Sequence, residues 1–415
     1  MKKSKGYTID INKLIEDKNL EIDFQPIVSV IKKSIIGLEA ICVGSRDENG
    51  ELIPHDVLIQ QAEKQGIAIE LDRLYREKAV EEFVNAYSKN KELLLFIDIN
   101  ISIIDKFVGS GMLMDLVNSK NLDPENVVLE IVEEKIESID AMQQFITTYR
   151  SRGFLISLKD LGSGFANFDR ISYIEPDIIK INRALTKDIE INYYTQEIFK
   201  SLINLSKKIG ALVIAEDIEN QLEAMMVIEL GADMVKGRYF GEPEKIDKFS
   251  YKSIEDKINK TASEYKNYMT EAINMKEAIH KEYDGIINTV LDELAKSKEE
   301  DMDKIISKVV SNYSVLECVY ILDASGTQVT DTATRFRNMV TQKALIFQPA
   351  KIGTDHSLKK YYYFLKNMGL NRYVTDPYIS LATGSLCVTI SANFKNANDK
   401  DYILCIDFHP DQMTI

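Results

Sequence analysis

Short apolar runs alternate with longer amphipathic stretches from about residue 20 to about residue 245. In the amphipathic stretches apolar residues recur every three or four positions, which predicts helices at 57–82, 141–152, 195–209 and 221–230. The apolar runs predict buried strands at 35–42, 93–99, 127–131, 154–158, 178–181, 212–215 and 234–235. Strand, helix and strand repeated this often predict a parallel sheet with helical crossovers. Seven or eight such units in about 230 residues favour an α/β fold of the (β/α)8 TIM-like barrel type over an open sheet.

The pattern changes between residues 250 and 298, where Gly285 is the only glycine and proline is absent. Apolar residues recur there at spacings of three, four or seven, which predicts a long helix with a near-heptad stripe, interrupted by Lys276. The stripe consists of Tyr265, Met269, Ala272, Ile279, Tyr283, Ile286 and Val290. Such a stripe joins two subunits or packs on the flanking domains. We expect the first and therefore a homodimer.

From about residue 300 the chain returns to short apolar runs. A helix is predicted near 302–312, strands at 315–322, 385–391 and 402–408, and the beginning of a helix at 356–363. This order predicts an α+β domain with an antiparallel sheet flanked by helices. The predicted organisation is a barrel domain at 1–248, a helical linker at 249–300 and a second domain at 301–415.

Composition limits the kinds of partner. The 415-residue chain carries a net charge of -14, which argues against binding nucleic acid or anionic membranes through its whole surface. A local basic pocket remains compatible with that charge. No apolar run approaches the roughly 20 residues that a spanning helix needs, and polar residues follow Met1, so we expect a cytoplasmic protein. The scattered Cys42, Cys318, Cys387 and Cys405 suggest no zinc site, and three of them lie in apolar runs typical of buried thiols.

Polar residues follow or end the predicted strands of the barrel. They are Glu39, Asn100, Glu130, Asp160, Lys180 and Glu216. The carboxyl ends of barrel strands meet on one face, where functional sites are built, so these side chains are expected to converge. Gathered carboxylates suggest a metal site. Lys159, directly before Asp160, introduces a cation into that ring and suggests that the site has been altered.

Eight local motifs follow one another over about residues 20–245. The motifs are Phe24-Gln-Pro-Ile-Val28, Gly37-Leu-Glu-Ala-Ile41, Phe96-Ile-Asp-Ile-Asn-Ile-Ser102, Val128-Leu-Glu-Ile-Val-Glu133, Lys159-Asp-Leu-Gly-Ser-Gly164, Pro176-Asp-Ile-Ile-Lys-Ile181, Ile214-Ala-Glu-Asp-Ile-Glu219 and Gly231-Ala-Asp-Met-Val-Lys-Gly237. In this order and spacing they resemble the EAL domains that hydrolyse cyclic di-GMP. Each fragment alone is weak, but the ordered set is specific.

The resemblance implies a phosphodiesterase site in which two divalent cations, Mg or Mn, activate water and neutralise the phosphate. By that resemblance the metal ligands are Glu39, Asn100, Glu130, Asp160 and Glu216. Lys180, which contacts the attacking water, and Glu216 match catalytic positions, and Glu133 matches the acid that supports the loop after the Asp160 strand. The positions matched to nucleotide binding are Gln25, Glu39, Asp160, Lys236 and Arg238.

Several positions depart from the family pattern. Lys159 replaces the first of two adjacent aspartates, and Val43 replaces an arginine that contacts a ligand phosphate. The other departures are Val132, Asn182, Asp217, Lys236 and Arg238. We expect Lys159 to fill the vacant metal position and pair with Asp160, Glu130 or Glu216, the alternative being that it points to solvent. Binding of Mg or Mn is then weak or absent.

Beyond the long helix, Gly353-Thr-Asp-His-Ser-Leu-Lys-Lys-Tyr-Tyr362 resembles part of the PAS- or Cache-like domain that follows the EAL domain in some Gram-positive proteins. Such domains bind small ligands or proteins. His356 and the tyrosines at 361–363 line a pocket there, or serve packing and surface roles.

Three functions follow from these patterns. The preferred hypothesis is a degenerate EAL signalling protein that binds a nucleotide or a partner without efficient turnover. The alternatives are a weakly active metal-dependent phosphodiesterase giving linear pGpG, and a scaffold barrel with a ligand-sensing second domain. An inactive or weak enzyme is expected.

Overall fold

A computed structural model describes residues 10–99, 111–131, 138–163, 169–334 and 347–409. The chain divides into two compact units, residues 1–266 and 267–415. The predicted site positions Asn100 and Glu133, together with Val132, lie outside the described residues.

The first unit is built on a closed barrel. Its described strands are β1 Glu21–Ser29, β2 Ser34–Arg46, β3 Leu52–Pro54, β4 Leu94–Ile99, β5 Val127–Ile131, β6 Leu155–Leu161, β7 Ile178–Ile181, β8 Leu212–Ala215 and β9 Met234–Lys236. The order is β1-β9-β8-β7-β6-β5-β4-β2-β3, and pairing of β1 with β2 closes the barrel. This confirms the predicted eight-stranded barrel, with β3 paired outside it on β2.

One strand corrects the prediction of a parallel sheet. Strands β2 and β4 to β9 pair in parallel, whereas β1 is antiparallel to both of its neighbours, β2 and β9. The reason is the short connection between Ser29 and Ser34, in which Lys33 adopts a positive φ of 55°. Antiparallel neighbours can be joined by a tight turn, whereas a parallel pair needs a crossover.

The described helices of the first unit surround the barrel strands in sequence. They are α1 Ile11–Glu16, α2 His55–Gln65, α3 Ala68–Tyr87, α4 Met112–Ser119, α5 Ile139–Arg150, α6 Asp169–Ile174, α7 Tyr193–Ile209 and α8 Gln221–Glu229. The single helix predicted at 57–82 was wrong, because α2 and α3 are separate. Gly66 ends α2 with a left-handed φ of 74°, a conformation that glycine adopts without the steric cost of a Cβ.

Strand β6 contains an irregularity in its pairing register at Lys159 and Asp160. The predicted strand ended at Leu158, but β6 continues to Leu161 through a register shift between Leu158 and Leu161. Asp160 within the shift has a positive φ of 64°. Bulges of this kind re-aim side chains near functional sites. The shift therefore sets separate directions for Lys159 and Asp160.

The barrel has two apolar layers. A large core packs the strands against the surrounding helices. A smaller cluster consists of Ile27, Phe96, Val128, Ile178, Ile214 and Met234. The ammonium of Lys180 lies 5.5 Å from the centroid of the Phe96 ring. The charged side chains at the strand ends thus adjoin this smaller apolar cluster.

A long helix, α9 Tyr251–Ala295, begins in the first unit, and its residues from 267 onward belong to the second. The second unit also contains α10 Met302–Asn312, α11 Lys360–Asn367, β10 Leu316–Asp323, β11 Ala333–Thr334, β12 Arg372–Val374, β13 Tyr378–Ile379, β14 Leu386–Lys395 and β15 Asp401–Phe408. Its sheet has the order β11-β10-β15-β14-β12, with β13 paired to β14, and all pairs are antiparallel.

The predicted helix start at 356 was wrong, since α11 begins at Lys360. His356 is buried between two partners: Nδ1 lies 2.6 Å from the Tyr361 hydroxyl and Nε2 lies 2.9 Å from Gln328 Oε1. With both ring nitrogens hydrogen-bonded, His356 and Tyr361 pack inside the unit, whereas Tyr363 is exposed.

The predicted apolar stripe of the long helix is divided between different environments. Tyr283, Ile286 and Val290 are buried in the core of the second unit, and Tyr265 packs on the core of the first. Ile273 and Met275 between them are 59% and 60% exposed. Part of the stripe therefore packs within the chain, and the homodimer stays a prediction. Among the described residues, no helix combines the length and apolarity that crossing a membrane requires.

Candidate functional site

Four carboxylates and three lysines of the described residues meet at the carboxyl ends of the parallel barrel strands. We call them the lysine–carboxylate cluster: Glu39 of β2, Asp98 of β4, Glu130 of β5, Lys159 of β6, Lys180 of β7, Glu216 directly after β8, and Lys236 of β9. Five of them are at most 5% exposed, namely Glu39, Glu130, Lys180, Glu216 and Lys236. Ionic groups this deeply buried are tolerated when they are paired with each other.

Glu39 lies at the centre of the cluster and contacts all three ammonium groups. Its Oε1 is 2.9 Å from Lys159 Nζ, and its Oε2 is 2.5 Å from Lys180 Nζ and 2.7 Å from Lys236 Nζ. Burial by itself raises the pKa of Glu39, but Lys180, Lys236 and Lys159 together hold it well below its usual range. Glu39 is therefore a carboxylate whose two oxygens are both already bound by cations.

Lys159 points into the barrel. Its ammonium contacts Glu39, lies 3.0 and 3.2 Å from the two oxygens of Asp98, and is 3.7 Å from Glu130. Its side chain is 15% exposed, so the alternative of a solvent-facing lysine was wrong. Burial lowers the pKa of Lys159, but the surrounding carboxylates outweigh this and raise it well above its usual value. Of its predicted partners, Glu130 is confirmed.

Lys180 is the most enclosed cation of the cluster and is fully buried. Its Nζ lies 2.5 Å from Glu39, 2.5 Å from Glu130 and 3.3 Å from Glu216. Burial lowers the pKa of Lys180, but the carboxylates, led by Glu130 and Glu39, outweigh it and raise the pKa. An ammonium has three N–H donors, and Lys180 faces three carboxylates.

Glu130 is the carboxyl group whose protonation changes the net charge of the cluster near neutral pH. Burial, reinforced by the negative charge of Glu39, raises its pKa to about 7 although Lys180 and Lys159 oppose the shift. Four ionised carboxylates against three ammonium groups leave one excess negative charge. Protonation of Glu130 removes that charge, so the cluster is close to neutral around neutral pH.

Lys236 forms the second bridge between strands. Its Nζ is 2.7 Å from Glu39 and 2.9 Å from Glu216. Burial raises the pKa of Glu216, but Lys236 and Lys180 outweigh it and lower the pKa. Lys159 and Lys236, the two lysines that depart from the family pattern, thus both bind Glu39, Lys159 at Oε1 and Lys236 at Oε2.

Asp98 was missed by the sequence argument, which assigned Asn100 instead. Phe96 and Asp98 are two residues apart on β4, and side chains so spaced along a strand point to the same side. Phe96 belongs to the smaller apolar cluster of the barrel. The strand alternation within the quoted motif could therefore have identified Asp98.

Asp160 was predicted as a metal ligand, but its described hydrogen bond lies elsewhere. Asn182 donates from Nδ2 to Asp160 Oδ1 over 2.8 Å. Asn182 also accepts at Oδ1 from the backbone N–H of Ala184 and so caps the short 3-10 turn Arg183–Leu185. Asp160, a predicted metal ligand, is thus hydrogen-bonded to Asn182, one of the positions that depart from the family pattern.

The remaining predicted positions that the structure describes lie outside the lysine–carboxylate cluster. Gln25 is buried and donates to the Gly241 carbonyl over 3.0 Å. The Arg238 side chain is 70% exposed and lies 3.6 Å from Glu242. Val43 is half-buried on β2, and Asp217 has a positive φ of 53° with a pKa raised by burial. Of the predicted nucleotide-binding set, only Glu39 and Lys236 are members of the cluster defined above.

The described carboxylates that would hold a pair of divalent cations are paired with lysines instead. Magnesium and manganese need carboxylate oxygens as ligands, and both oxygens of Glu39 already accept from lysines. A divalent ion placed about 4 Å from an ammonium is opposed by about 8 kcal/mol at an effective dielectric near 20. Within the described ranges, no group of three or more His, Cys, Asp or Glu residues is arranged to hold a metal.

The fold and the acids at the strand ends define the class of protein. It is a (β/α)8-type barrel with a carboxylate site at its mouth, and in this chain lysines form ion pairs with those carboxylates. The chain belongs to the EAL domain family, whose profile matches residues 9–243. It is 25% identical over 338 residues to the uncharacterized EAL-domain containing protein YkuI of Bacillus subtilis, covering 78% of this chain and 79% of YkuI.

Two further comparisons extend this result. The crystal structure of Bacillus subtilis YkuI, in complex with its substrate c-di-GMP and calcium, has a TM-score of 0.78 at 19% identity and covers 97% of this chain and 99% of that one. The fold is thus shared along nearly the whole chain. The probable cyclic di-GMP phosphodiesterase PdeA of Escherichia coli is 30% identical over 147 residues, 35% of this chain and 20% of that protein.

Proposed function

We propose that this chain is a cyclic di-GMP signalling protein whose EAL domain binds the nucleotide or a partner without hydrolysing it. The observation that carries the proposal is the attachment of Lys159 and Lys236 to Glu39, at 2.9 and 2.7 Å. In the family pattern these positions hold an aspartate and a glutamine. The change replaces a carboxylate ligand at position 159 and a neutral amide at position 236 with cations that belong to the chain.

Hydrolysis of a phosphodiester needs an activated water and a cation that stabilises the developing negative charge. The lysines supply positive charge, but the carboxylates of the cluster already neutralise it. Lys180, matched to the residue that contacts the attacking water, is fully buried and faces three carboxylates within 3.3 Å. Its donors are therefore directed at the protein, and we propose that Lys180 and Glu216 are vestigial in catalysis.

Nucleotide binding is proposed to be independent of divalent metal. The near-neutral cluster offers little attraction to a phosphate, so contacts fall to the exposed Arg238 and to backbone and side-chain groups around the barrel mouth. Loss of the phosphate-contacting arginine at Val43 weakens this binding. We therefore expect affinity in the micromolar range, a free energy of about -8 kcal/mol or somewhat weaker.

The test combines turnover with calorimetry on the purified full chain. Cyclic di-GMP is incubated with Mn²⁺ or Mg²⁺, and linear pGpG is followed by chromatography. In parallel, cyclic di-GMP is titrated with and without divalent metal. We expect no turnover and the same affinity under both conditions. Robust turnover that Glu39→Ala abolishes would overturn the proposal. If no nucleotide binds, nucleotide binding is refuted and only the binding of a partner protein is left of the proposal.

A weakly active phosphodiesterase is the second candidate. It is supported by the convergence of Glu39, Glu130, Glu216 and Lys180, all of which match family positions, at one end of the barrel. This candidate requires a metal to displace the ammonium of Lys159 from Glu39. It predicts slow turnover that rises with millimolar Mn²⁺, whereas the preferred proposal predicts none.

A sensing role for the second unit is the third candidate, with a PAS- or Cache-like domain as its proposed type. It is supported by buried polar groups on the sheet: Thr389 donates to Asp407 over 2.7 Å, and the Tyr378 hydroxyl lies 2.5 Å from Thr389. Burial raises the pKa of Asp407 to about 7. A small-molecule thermal-shift screen on the full chain tests this role, and a ligand whose effect Asp407→Asn removes would support it.

The homodimer remains part of the proposal. Ile273 and Met275 of α9 are more than half exposed, and they lie in the stretch for which a subunit contact was predicted. Light scattering on the full chain should give twice the monomer mass of 47.3 kDa. The variant Ile273→Lys should return the mass to the monomer value, whereas a monomeric wild type would refute the dimer.

A further inference from the structure

Helix α9 is fastened to the barrel by a small polar network next to the lysine–carboxylate cluster. Its first turns bury Ile254, Ile258 and Thr261, each at most 4% exposed. The Tyr239 hydroxyl lies 3.1 Å from the Thr261 hydroxyl and 3.2 Å from Gln221 Oε1. Gln221 in turn hydrogen-bonds to Glu264 of α9. Tyr239 is therefore the residue at which β9, α8 and α9 meet.

Tyr239 follows Lys236 of the cluster by three residues, and the intervening backbone is locked to the segment after Glu216. The Ile218 N–H donates to the Lys236 carbonyl, and the Tyr239 N–H donates to the Ile218 carbonyl, both over 3.0 Å. Gly237 lies between them. A Cβ on Gly237 would be 2.1 Å from the Ile218 oxygen and 2.2 Å from its nitrogen.

This close approach leaves no free space between the two segments. Lys236 and Glu216 are also bound to each other by an ion pair of 2.9 Å. A displacement of the Lys236 side chain or of the β9 end therefore moves Ile218 and Tyr239 together, because tightly packed segments shift as units.

We infer that Tyr239 couples the ion pairs of Lys236 in the lysine–carboxylate cluster to helix α9. The inference rests on the proposed function, since it assigns a regulatory output to the same site. Lys236 is the member of the cluster that transmits the change, through the Gly237–Ile218 contact, to the Tyr239 hydroxyl and then to Thr261. Helix α9 continues to residue 295 and so leaves the barrel unit as one element.

The chain contains a matched control for this route. Lys159 and Lys236 both pair with Glu39, but Lys159 lies on β6, whereas Lys236 lies on β9 next to Gly237. Removing either ammonium takes one cation away from Glu39. Removal of the Lys236 ammonium alone is expected to reach α9.

Hydrogen–deuterium exchange of the full-length chain, without any nucleotide, tests the coupling. In Lys236→Met, amides at 258–265 should exchange roughly two- to tenfold faster, the effect of weakening about one hydrogen bond. In Lys159→Met these amides should keep wild-type rates relative to amides of β15, a strand of the second unit that carries no residue of the cluster. Tyr239→Phe should raise the same rates by itself, and adding Lys236→Met to it should give no further change.

Two outcomes would overturn the coupling: equal acceleration at 258–265 in both lysine variants, or a Lys236→Met effect that persists undiminished in the Tyr239→Phe background. If Lys236→Met does not fold, Lys236→Gln supplies the same comparison. The readout needs neither turnover nor nucleotide. It therefore fails or succeeds separately from the titration that tests the proposed function.

Discussion

Lys159 binds both carboxylate oxygens of Asp98, at 3.0 and 3.2 Å, across the intervening strand β5. The same ammonium also contacts Glu39 on β2 and Glu130 on β5, so one side chain on β6 links four strands of the barrel. Active EAL domains are expected to use aspartate at the Lys159 position, which has the opposite charge. The ion pairs therefore show how the barrel mouth is held together with a lysine there.

Restoring metal binding should require two substitutions. Lys159→Asp leaves Lys180 and Lys236 on Glu39 Oε2, so calorimetry with Mn²⁺ should show weak binding or none. Lys159→Asp combined with Lys236→Gln should bind at least tenfold more tightly, because one ligand is regained and two cations are removed. Lys236→Gln alone is the control. If Lys159→Asp alone binds as tightly as the double variant, Lys236 is not part of the defect.

Removing the buried ammonium of Lys180 should destabilise the fold. Lys180→Met leaves Glu39, Glu130 and Glu216 facing one another with one cation fewer, which should cost about 3–5 kcal/mol in the free energy of unfolding. Urea denaturation measures this loss. Lys200→Met is the matched control, because Lys200 is half exposed in its pair with Glu197, and its effect should stay within about 0.5 kcal/mol. Similar losses for the two variants would contradict the buried network.

The Glu130 contribution to stability should fall as the pH rises from about 5 to about 7.5, whereas His55 and His356, whose pKa values are lowered by burial, contribute with the opposite sign up to about pH 6.5. The pKa of Glu130 is raised to about 7 in the folded chain, from a usual 4.5, chiefly by burial. The folded state therefore holds a proton that the unfolded chain releases. The stabilisation that this proton gives the folded state is complete below pH 4.5, the pKa of Glu130 in the unfolded chain. It is lost as the pH rises through about 7, the pKa of Glu130 in the folded chain. The lowered pKa values of Glu39 and Glu216 act in the opposite direction, below pH 4.5.

Urea unfolding at several pH values checks this slope. Glu130→Gln should flatten it by about 1–3 kcal/mol over the interval. Asp407 has a pKa raised to about 7 by burial and contributes with the same sign, so the doubly substituted Glu130→Gln/Asp407→Asn chain should be flatter still. A Glu130→Gln chain with the same pH dependence as the wild type would refute the Glu130 assignment, and an Asp407→Asn chain with that dependence would refute the Asp407 assignment.

Two glycines should respond in opposite ways to the same added methyl group. Gly237→Ala places a Cβ 2.1 Å from the Ile218 carbonyl oxygen, and backbone must move, at a cost of about 1–3 kcal/mol or more. Gly285→Ala meets nothing within 4 Å inside helix α9 and should stabilise by roughly 0.5–1 kcal/mol. Thermal denaturation compares the two. A neutral Gly237→Ala would mean that the segments at 218 and 237 can separate.

The buried parallel strands were the most predictable part of the fold. The predicted strands at 127–131, 178–181 and 212–215 agree with β5, β7 and β8 to the residue. These strands are covered on both faces, so they appear as continuous apolar runs bounded by polar residues. The antiparallel β1 was not distinguished from its neighbours, because strand direction depends on the connection after Ser29 and not on apolar content.

The site was predictable in its residue types and less so in its pairings. Glu39, Glu130, Glu216 and Lys180 follow from strand ends, whereas the partners of Lys159 depend on a register shift at 158–161 that no residue pattern announced. Asp160 was grouped with the cluster because it follows the predicted strand at 154–158 and matches a metal-ligand position of the family. A positive φ at Asp160 accompanies its hydrogen bond with Asn182 instead.

The bonds from Lys159 and Lys236 to Glu39 also bear on how the protein responds to its surroundings. A bound metal ion obeys mass action, so its occupancy falls when the cell is starved of manganese or magnesium. Ammonium groups on the polypeptide are present at fixed stoichiometry from the moment the chain folds. A barrel held by such groups would keep the same state through scarcity and abundance of divalent ions, and its output would follow the messenger alone.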